Sequence, residues 1–239
     1  MYTVLFDIDG TLLSSGGAGE AAYLDAFRQD FGLAEMPENI SFAGRSDRAI
    51  VEEIMRASQI EPSADTWQRF CTGYCSRLQQ SLARCEGSLL PGVLELIGAL
   101  QRLEHVSLGL LTGNIECGAQ MKLEEYGING HFAFGGYGDR RTDRNDIAAE
   151  AKQAAAEAAA EKGHAGLCGV MVIGDTPNDV LCARSIDAFA VAVATGGSTR
   201  AQLAAAEPDL LLDDLTDSGA LLAEVRDRRG FHVQSAKFT

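Results

Sequence analysis

Asp7-Ile8-Asp9-Gly10-Thr11-Leu12 follows a short apolar run, Thr3 to Phe6, rich in strand-forming residues. Residues two apart in a strand share a face, so Asp7 and Asp9 would place two carboxylates together at its end. Two such acids repel each other and are costly to desolvate. A divalent cation removes that cost, and an all-oxygen donor set suits Mg2+. The competing reading is a turn, because Asp-Gly is common turn chemistry. A second buried run, Val172-Ile173-Gly174, ends in Asp175, with Pro177 near a helix start and Asp179 one helical turn on. Asp175 then stands either at the carboxyl end of a parallel strand, where open α/β sheets place their ligands, or as the cap of the helix that starts near Pro177. Asp179 can reach the same pocket. A third run, Leu110-Leu111, leads into Thr112-Gly113-Asn114 ahead of another helix. A hydroxyl, free backbone N–H groups and a helix N-terminus can hold a phosphate there, and a plain helix cap is the alternative. Gly16-Gly17-Ala18-Gly19 and Gly135-Gly136-Tyr137-Gly138 fit neither a P-loop nor a dinucleotide fingerprint.

The elements that must position these residues alternate. Strand-like runs at Thr3 to Phe6, Val106 to Leu111, His131 to Phe134, Val170 to Ile173, Phe189 to Ala194 and Leu210 to Leu212 are separated by helical patterns at Val93 to Leu103, Ile115 to Tyr126, Ile147 to Lys162, Asp179 to Ser185 and Thr199 to Ala206. Strands alternating with helices imply a parallel sheet covered on both faces. One block breaks this order. From about Gly16 to Glu86 no strand candidate occurs, and Glu20 to Phe31, Asp47 to Ser58 and Ser63 to Ala83 read as helices between Gly-rich joints. The expected fold class is therefore α/β, a Rossmann-like parallel sheet core with an inserted all-helical cap. The core would span 1–14 and 89–229, the cap 15–88, and a frayed tail 230–239.

The chain has 239 residues, room for one large domain or two small ones. Its 34 acids against 20 bases give a net charge of −14, which disfavours non-specific nucleic-acid binding. Any phosphate site must be made locally positive. No apolar run approaches the length of a membrane helix, and the N-terminus lacks the pattern of a secretory signal, so a cytoplasmic protein is expected. None of the six cysteines forms a C-x-x-C pair; reduced, buried thiols are expected. The four histidines share no metal-ligand spacing.

Taken together and in this order, the motifs resemble those of the haloacid dehalogenase superfamily of phosphohydrolases, over nearly the whole chain. The resemblance implies that Asp7 is the nucleophile and Asp9 the general acid/base. Thr112 would bind the phosphoryl oxygens, with Gly113 and Asn114 beside it. Asp7, the backbone carbonyl of Asp9, and Asp175 would hold Mg2+, with Asp179 in support. The position of the cap resembles the phosphoglycolate phosphatase and β-phosphoglucomutase branch, and Gly44-Arg45-Ser46-Asp47 matches that branch's substrate loop, with Arg45 as a substrate-binding residue. Arg45 and Arg48 suggest a second anionic group or hydroxyl on the leaving group, with a solvated helix start as the alternative. One feature departs from the family. Its third motif is usually a Lys, where this chain reads Asp143-Arg144-Asn145-Asp146-Ile147. Arg144 is the replacement or, two turns into the helix, Lys152. The implied activity is Mg2+-dependent hydrolysis of a small phosphorylated metabolite through a phospho-aspartate. A phosphosugar mutase, a metal-free 2-haloacid dehalogenase and a non-catalytic binding protein are the alternatives; Asp9 argues against the dehalogenase. No partner protein, nucleic acid or membrane is implied.

Overall fold

A computed structural model describes residues 1–38 and 40–227, so the expected tail, 230–239, lies outside the described residues. In chain order the elements are β1 (Tyr2–Phe6), β2 (Leu13–Ser14), α1 (Ala18–Phe31), α2 (Asp47–Ala57), α3 (Ala64–Leu82), β3 (Ser88–Leu89), α4 (Val93–Gln101), β4 (Val106–Leu111), α5 (Glu116–Glu125), β5 (Gly135–Gly136), α6 (Arg144–Glu161), β6 (Gly169–Gly174), α7 (Pro177–Ser185), β7 (Phe189–Val193), α8 (Arg200–Ala205), β8 (Leu210–Leu212) and α9 (Gly219–Asp227).

Six strands form one parallel sheet in the order β5-β4-β1-β6-β7-β8. Both faces are covered, which is why the strand sequences are mostly apolar; the buried hydroxyls of Thr3 and Ser107 hydrogen-bond each other at 3.0 Å. Val4 and Phe6 of β1 face α4, α5 and α9 in one core, while Leu5 faces α6, α7 and α8 in the other. The buried stripe Ala148, Ala151, Ala155 and Ala159 brings the Ala-rich α6 close against the sheet. The strand expected at His131 to Phe134 is instead a 3-10 turn, Asn129–His131, followed by β5 at the sheet edge. The run still lies along β4, with Ala133 N donating to Leu108 O and Leu110 N to Phe134 O, but it joins the regular ladder only at the two glycines.

Helices α1, α2 and α3 pack on each other around Tyr23, Phe27, Phe70 and Tyr74, with Ile115 of the core completing that cluster. This cap leaves and rejoins the core through an antiparallel pair, Leu13 opposite Leu89 and Ser14 opposite Ser88. The sequence showed neither of these two-residue strands, nor α9. The cysteine expectation needs correction. Cys75 on α3 and Cys117 on α5 are joined as a disulfide between cap and core, and of the other four only Cys182 is buried. Sequence spacing places Cys71 and Cys75 along one helix, but does not show the residue a neighbouring helix sets opposite them. Among the described residues no helix is long and apolar enough to cross a membrane.

Candidate active site

The site lies where β1 sits between β4 and β6. Register places Phe6 beside both Leu110 and Ile173, so the residues that follow these strands emerge together at the carboxyl edge of the sheet. Asp7, Thr112 and Asp175 are those residues, and all three are buried. They line one cavity of about 500 Å³ with Asp9, Gly113, Asn114, Arg144 and the cap residues Tyr23, Arg45, Asp47 and Tyr74. That is the volume of a small-metabolite site.

Helix starts aim the flanking groups. Thr176 caps α7, and Asp179 completes the capping box by accepting from Thr176 N at 2.9 Å and from Thr176 Oγ1 at 2.6 Å. Asp175 is therefore not the helix cap; its carboxylate lines the cavity and accepts from Thr11 Oγ1 at 3.4 Å. Asp143 caps α6. The helix thus begins three residues before the expected Ile147, and Arg144 stands at its first position. Arg144 is buried, pairs with Asp179 and lies 3.7 Å from Asp7. Lys152 runs instead to the Ile186 carbonyl at 2.7 Å, away from the cavity.

Carboxylate oxygens of Asp7, Asp175 and Asp179 all lie within 4.8 Å of one another. Burial pushes the Asp7 carboxyl up to about 7 against the pull of Arg144, with Asp179 and Asp9 adding repulsion. Burial and the charges of Asp7 and Asp179 push Asp175 up to about 8. Gly10 has a positive φ of 82°, and a Cβ there would stand 2.5 Å from Asp175 Oδ2, so only glycine lets the loop after β1 pass this carboxylate. Hard oxygen donors held close together, two of them disfavoured as bare anions, fit a divalent cation. Asp179 is already occupied by Arg144 and Thr176, which leaves Asp7 and Asp175 as the open donors.

These shifts set an expected pH dependence. Folding favours the neutral form of both acids, so their contribution to stability is full below the ordinary carboxylate value of about 4 and is lost as pH rises through about 7 and 8. The melting temperature of metal-free protein should therefore fall from pH 5 to 9, and Mg2+ should raise it more at pH 8.5 than at pH 5. Asp175→Asn should flatten the decline and abolish the Mg2+ response. Thermal melts with EDTA or Mg2+ across this range check it; a Mg2+ response that is independent of pH would count against the assignment.

Asp9 differs from the cluster. Its carboxylate is 41% exposed and carries an ion pair to Lys122 at 2.6 Å. Asn114 donates through Nδ2 to Asp9 Oδ2 and to Thr112 Oγ1, both at 2.8 Å. The sequence reading missed Lys122. Gly118 and Lys122 are four residues apart on α5 and so share a face, but the sequence does not show what that face meets. It also undervalued Asp47, whose buried carboxylate accepts from Tyr23 Oη at 2.6 Å and from Ile115 N at 2.8 Å. Burial pushes Asp47 up to about 6, with Tyr23, Lys122 and Ile115 N opposing.

Cap and core meet through backbone groups. Asp47 N donates to Gly113 O at 2.7 Å, Ser46 Oγ to Thr142 O at 3.0 Å, and Asn178 Nδ2 to Gly44 O at 2.8 Å. Gly113 must be glycine because the cap carbonyl of Arg45 occupies the place a Cβ would take. Arg45 lines the cavity, but its guanidinium is held by Glu53 at 2.5 Å and Ser41 O at 3.0 Å. Arg48 is spent on Glu52 and the Trp67 ring and does not line the cavity, contrary to expectation.

Comparison with known proteins gives the family of the chain. Residues 4–184 match the model of the haloacid dehalogenase-like hydrolase family. A phosphoglycolate phosphatase of Synechococcus elongatus is 31% identical over 91% of this chain and 95% of that protein. One from Agrobacterium fabrum is 26% identical over 88% of this chain and 87% of that protein. Among solved structures, CbbY from Rhodobacter sphaeroides in complex with phosphate superposes with a TM-score of 0.70 at 18% identity, covering 91% of this chain and 96% of that one. A fold of this kind, with buried acids at the ends of its central strands and relatives across nine-tenths of its length, makes the chain a member of the haloacid dehalogenase-like hydrolase family, a phosphatase-type hydrolase with a helical cap.

Proposed function

We propose that this protein is a Mg2+-dependent phosphatase for a small phosphorylated metabolite of the phosphoglycolate type. One observation carries the reading: Asp7, Asp9, Thr112, Arg144 and Asp175 leave three adjacent strands and a helix start to line a single capped cavity. Asp7 attacks phosphorus in line, and the ester oxygen leaves with the proton of Asp9. Water then surrenders a proton to Asp9 and opens the phospho-aspartate, which restores both acids. Thr112 and Arg144 bind the phosphoryl oxygens, with Gly113 and Asn114 beside them, and Arg144 neutralises charge on Asp7. Asp7, Asp175 and the backbone carbonyl of Asp9 would hold Mg2+, with Asp179 keeping Arg144 in place. The cation would screen the carboxylates from an incoming phosphate and polarise its oxygens. Arg45 contacts the leaving group if it exchanges Glu53 for substrate. The unit boundaries in this reading are core 1–14 and 89–229 around cap 15–88, with the cap excluding bulk water.

Release of inorganic phosphate from 2-phosphoglycolate and a panel of phosphosugars, in Mg2+ and in EDTA, tests the proposal. Activity should vanish in EDTA and return with Mg2+; full turnover in EDTA, of a phosphate ester or of a 2-halo acid, would overturn it. Asp9→Ala should slow 2-phosphoglycolate, whose alkoxide must be protonated, by about a hundredfold or more, and p-nitrophenyl phosphate far less. Equal losses on the two substrates would reduce Asp9 to a structural residue.

A further inference from the structure

Lys122 is the one lysine that lines the cavity among the described residues, and it is buried at the foot of the cap. Its ammonium donates to Asp9 Oδ2 at 2.6 Å and to Asn114 Oδ1 at 2.7 Å. Asn114 in turn donates to the same Asp9 oxygen and to Thr112 Oγ1. Two donors therefore converge on Oδ2 of Asp9, and among the described residues none reaches Oδ1. The Asp9 side chain would otherwise be free to rotate, for it is the most exposed of the site acids; the two donors fix its plane. The same amide ties that plane to Thr112. Gly19 of α1 lies beside the ammonium, where a Cβ would stand 3.5 Å from Nζ, an ordinary contact.

We infer that Lys122 is a positioning residue for Asp9: with Asn114 it clamps Oδ2, so that Oδ1 is the oxygen that gives and takes the proton. The inference rests on the assignment of Asp9 as acid/base. Lys122 stays protonated through both half-reactions. The proton moves from Asp9 to the leaving oxygen in the first, and from water to Asp9 in the second.

Lys122→Met, assayed with Mg2+, should lower kcat for 2-phosphoglycolate by about ten- to a hundredfold, with KM changed by less than about threefold, and should barely affect p-nitrophenyl phosphate. In the Asp9→Ala background the same change should cost nothing further in turnover, because its target is gone; that double variant removes both partners of the Lys122–Asp9 ion pair together. Lys122→Arg, which keeps a cation but displaces its donors, should show a smaller loss with the same leaving-group dependence and provides the reading if the Met variant does not fold. Equal losses on both substrates, a loss confined to KM, or an additional loss in the Asp9→Ala background would each overturn the inference. If Asp9→Ala alone shows no leaving-group dependence, the parent assignment fails instead, so the two failures are distinguishable.

Discussion

Asp7→Asn should give a folded protein that turns over phosphate esters at least about a thousandfold more slowly than the parent. The substitution keeps the shape of the side chain and removes the carboxylate proposed to form the phospho-enzyme. Nothing in the packing opposes it. Asp7 ends β1 rather than filling either core, and its backbone N–H donates to Ile173 O at 3.0 Å, a bond that asparagine retains. Burial already penalises the Asp7 anion, so a neutral amide removes a strained charge from the metal-free protein. The Asp7→Asn protein should therefore melt no lower than the parent in EDTA, particularly above pH 7, and gain less from Mg2+. Phosphate release, circular dichroism and thermal unfolding test this together. Appreciable turnover by a well-folded Asp7→Asn protein would sink the nucleophile assignment.

Arg144→Met should be the most damaging change in the site, because it affects stability and chemistry at once. The guanidinium is buried between Asp179, with which it pairs, and Asp7. Removing one partner from a buried ion pair strands the other charge, at a cost of about 3–5 kcal/mol. The carboxylates of Asp7, Asp175 and Asp179 would then face each other with no protein cation among them. Turnover should fall by about a hundredfold or more, the usual result of losing a charge that stabilises a transition state. Arg144→Lys should recover part of the stability, though a point charge cannot serve two carboxylates as a planar fork does. Lys152→Ala should leave turnover unchanged, since its ammonium serves the Ile186 carbonyl. A strong activity loss in Lys152→Ala with none in Arg144→Met would reverse the roles assigned to the two cations.

The parallel sheet was legible because strands buried on both faces are mostly apolar, and Asp7 and Asp175 stood out as acids closing such strands. The helical cap was legible as a long block without strand candidates. Lys122 was missed for a physical reason. A lysine inside a helical pattern reads as a solvated charge, and only the fold shows that this face of α5 lies beneath the cap. The same blindness to partners hid the pairing of Cys75 with Cys117 and the engagement of Arg48 by Trp67. The cap of α7 stayed open in the sequence. The structure makes Thr176 the cap, Pro177 the first helical residue and Asp179 the partner that completes the capping box, so Asp175 is left over for other work.

The antiparallel pair that joins cap to core has a consequence for descent and design. Ser14 and Ser88 are direct neighbours, so the whole of 15–87 leaves and returns through one gap in the core. Such an insert can be lengthened, exchanged or removed without shifting the register of any strand in the six-stranded sheet. A two-residue Asn-Gly turn between Ser14 and Ser88 matches the geometry of an antiparallel ribbon and would close that gap. The trimmed chain would keep its strand-end carboxylates but expose them to bulk water, without Tyr23, Arg45 or Asp47. Exchanging the insert would thus replace cavity walls such as Tyr23, Arg45 and Asp47 and leave the strand-end carboxylates in place.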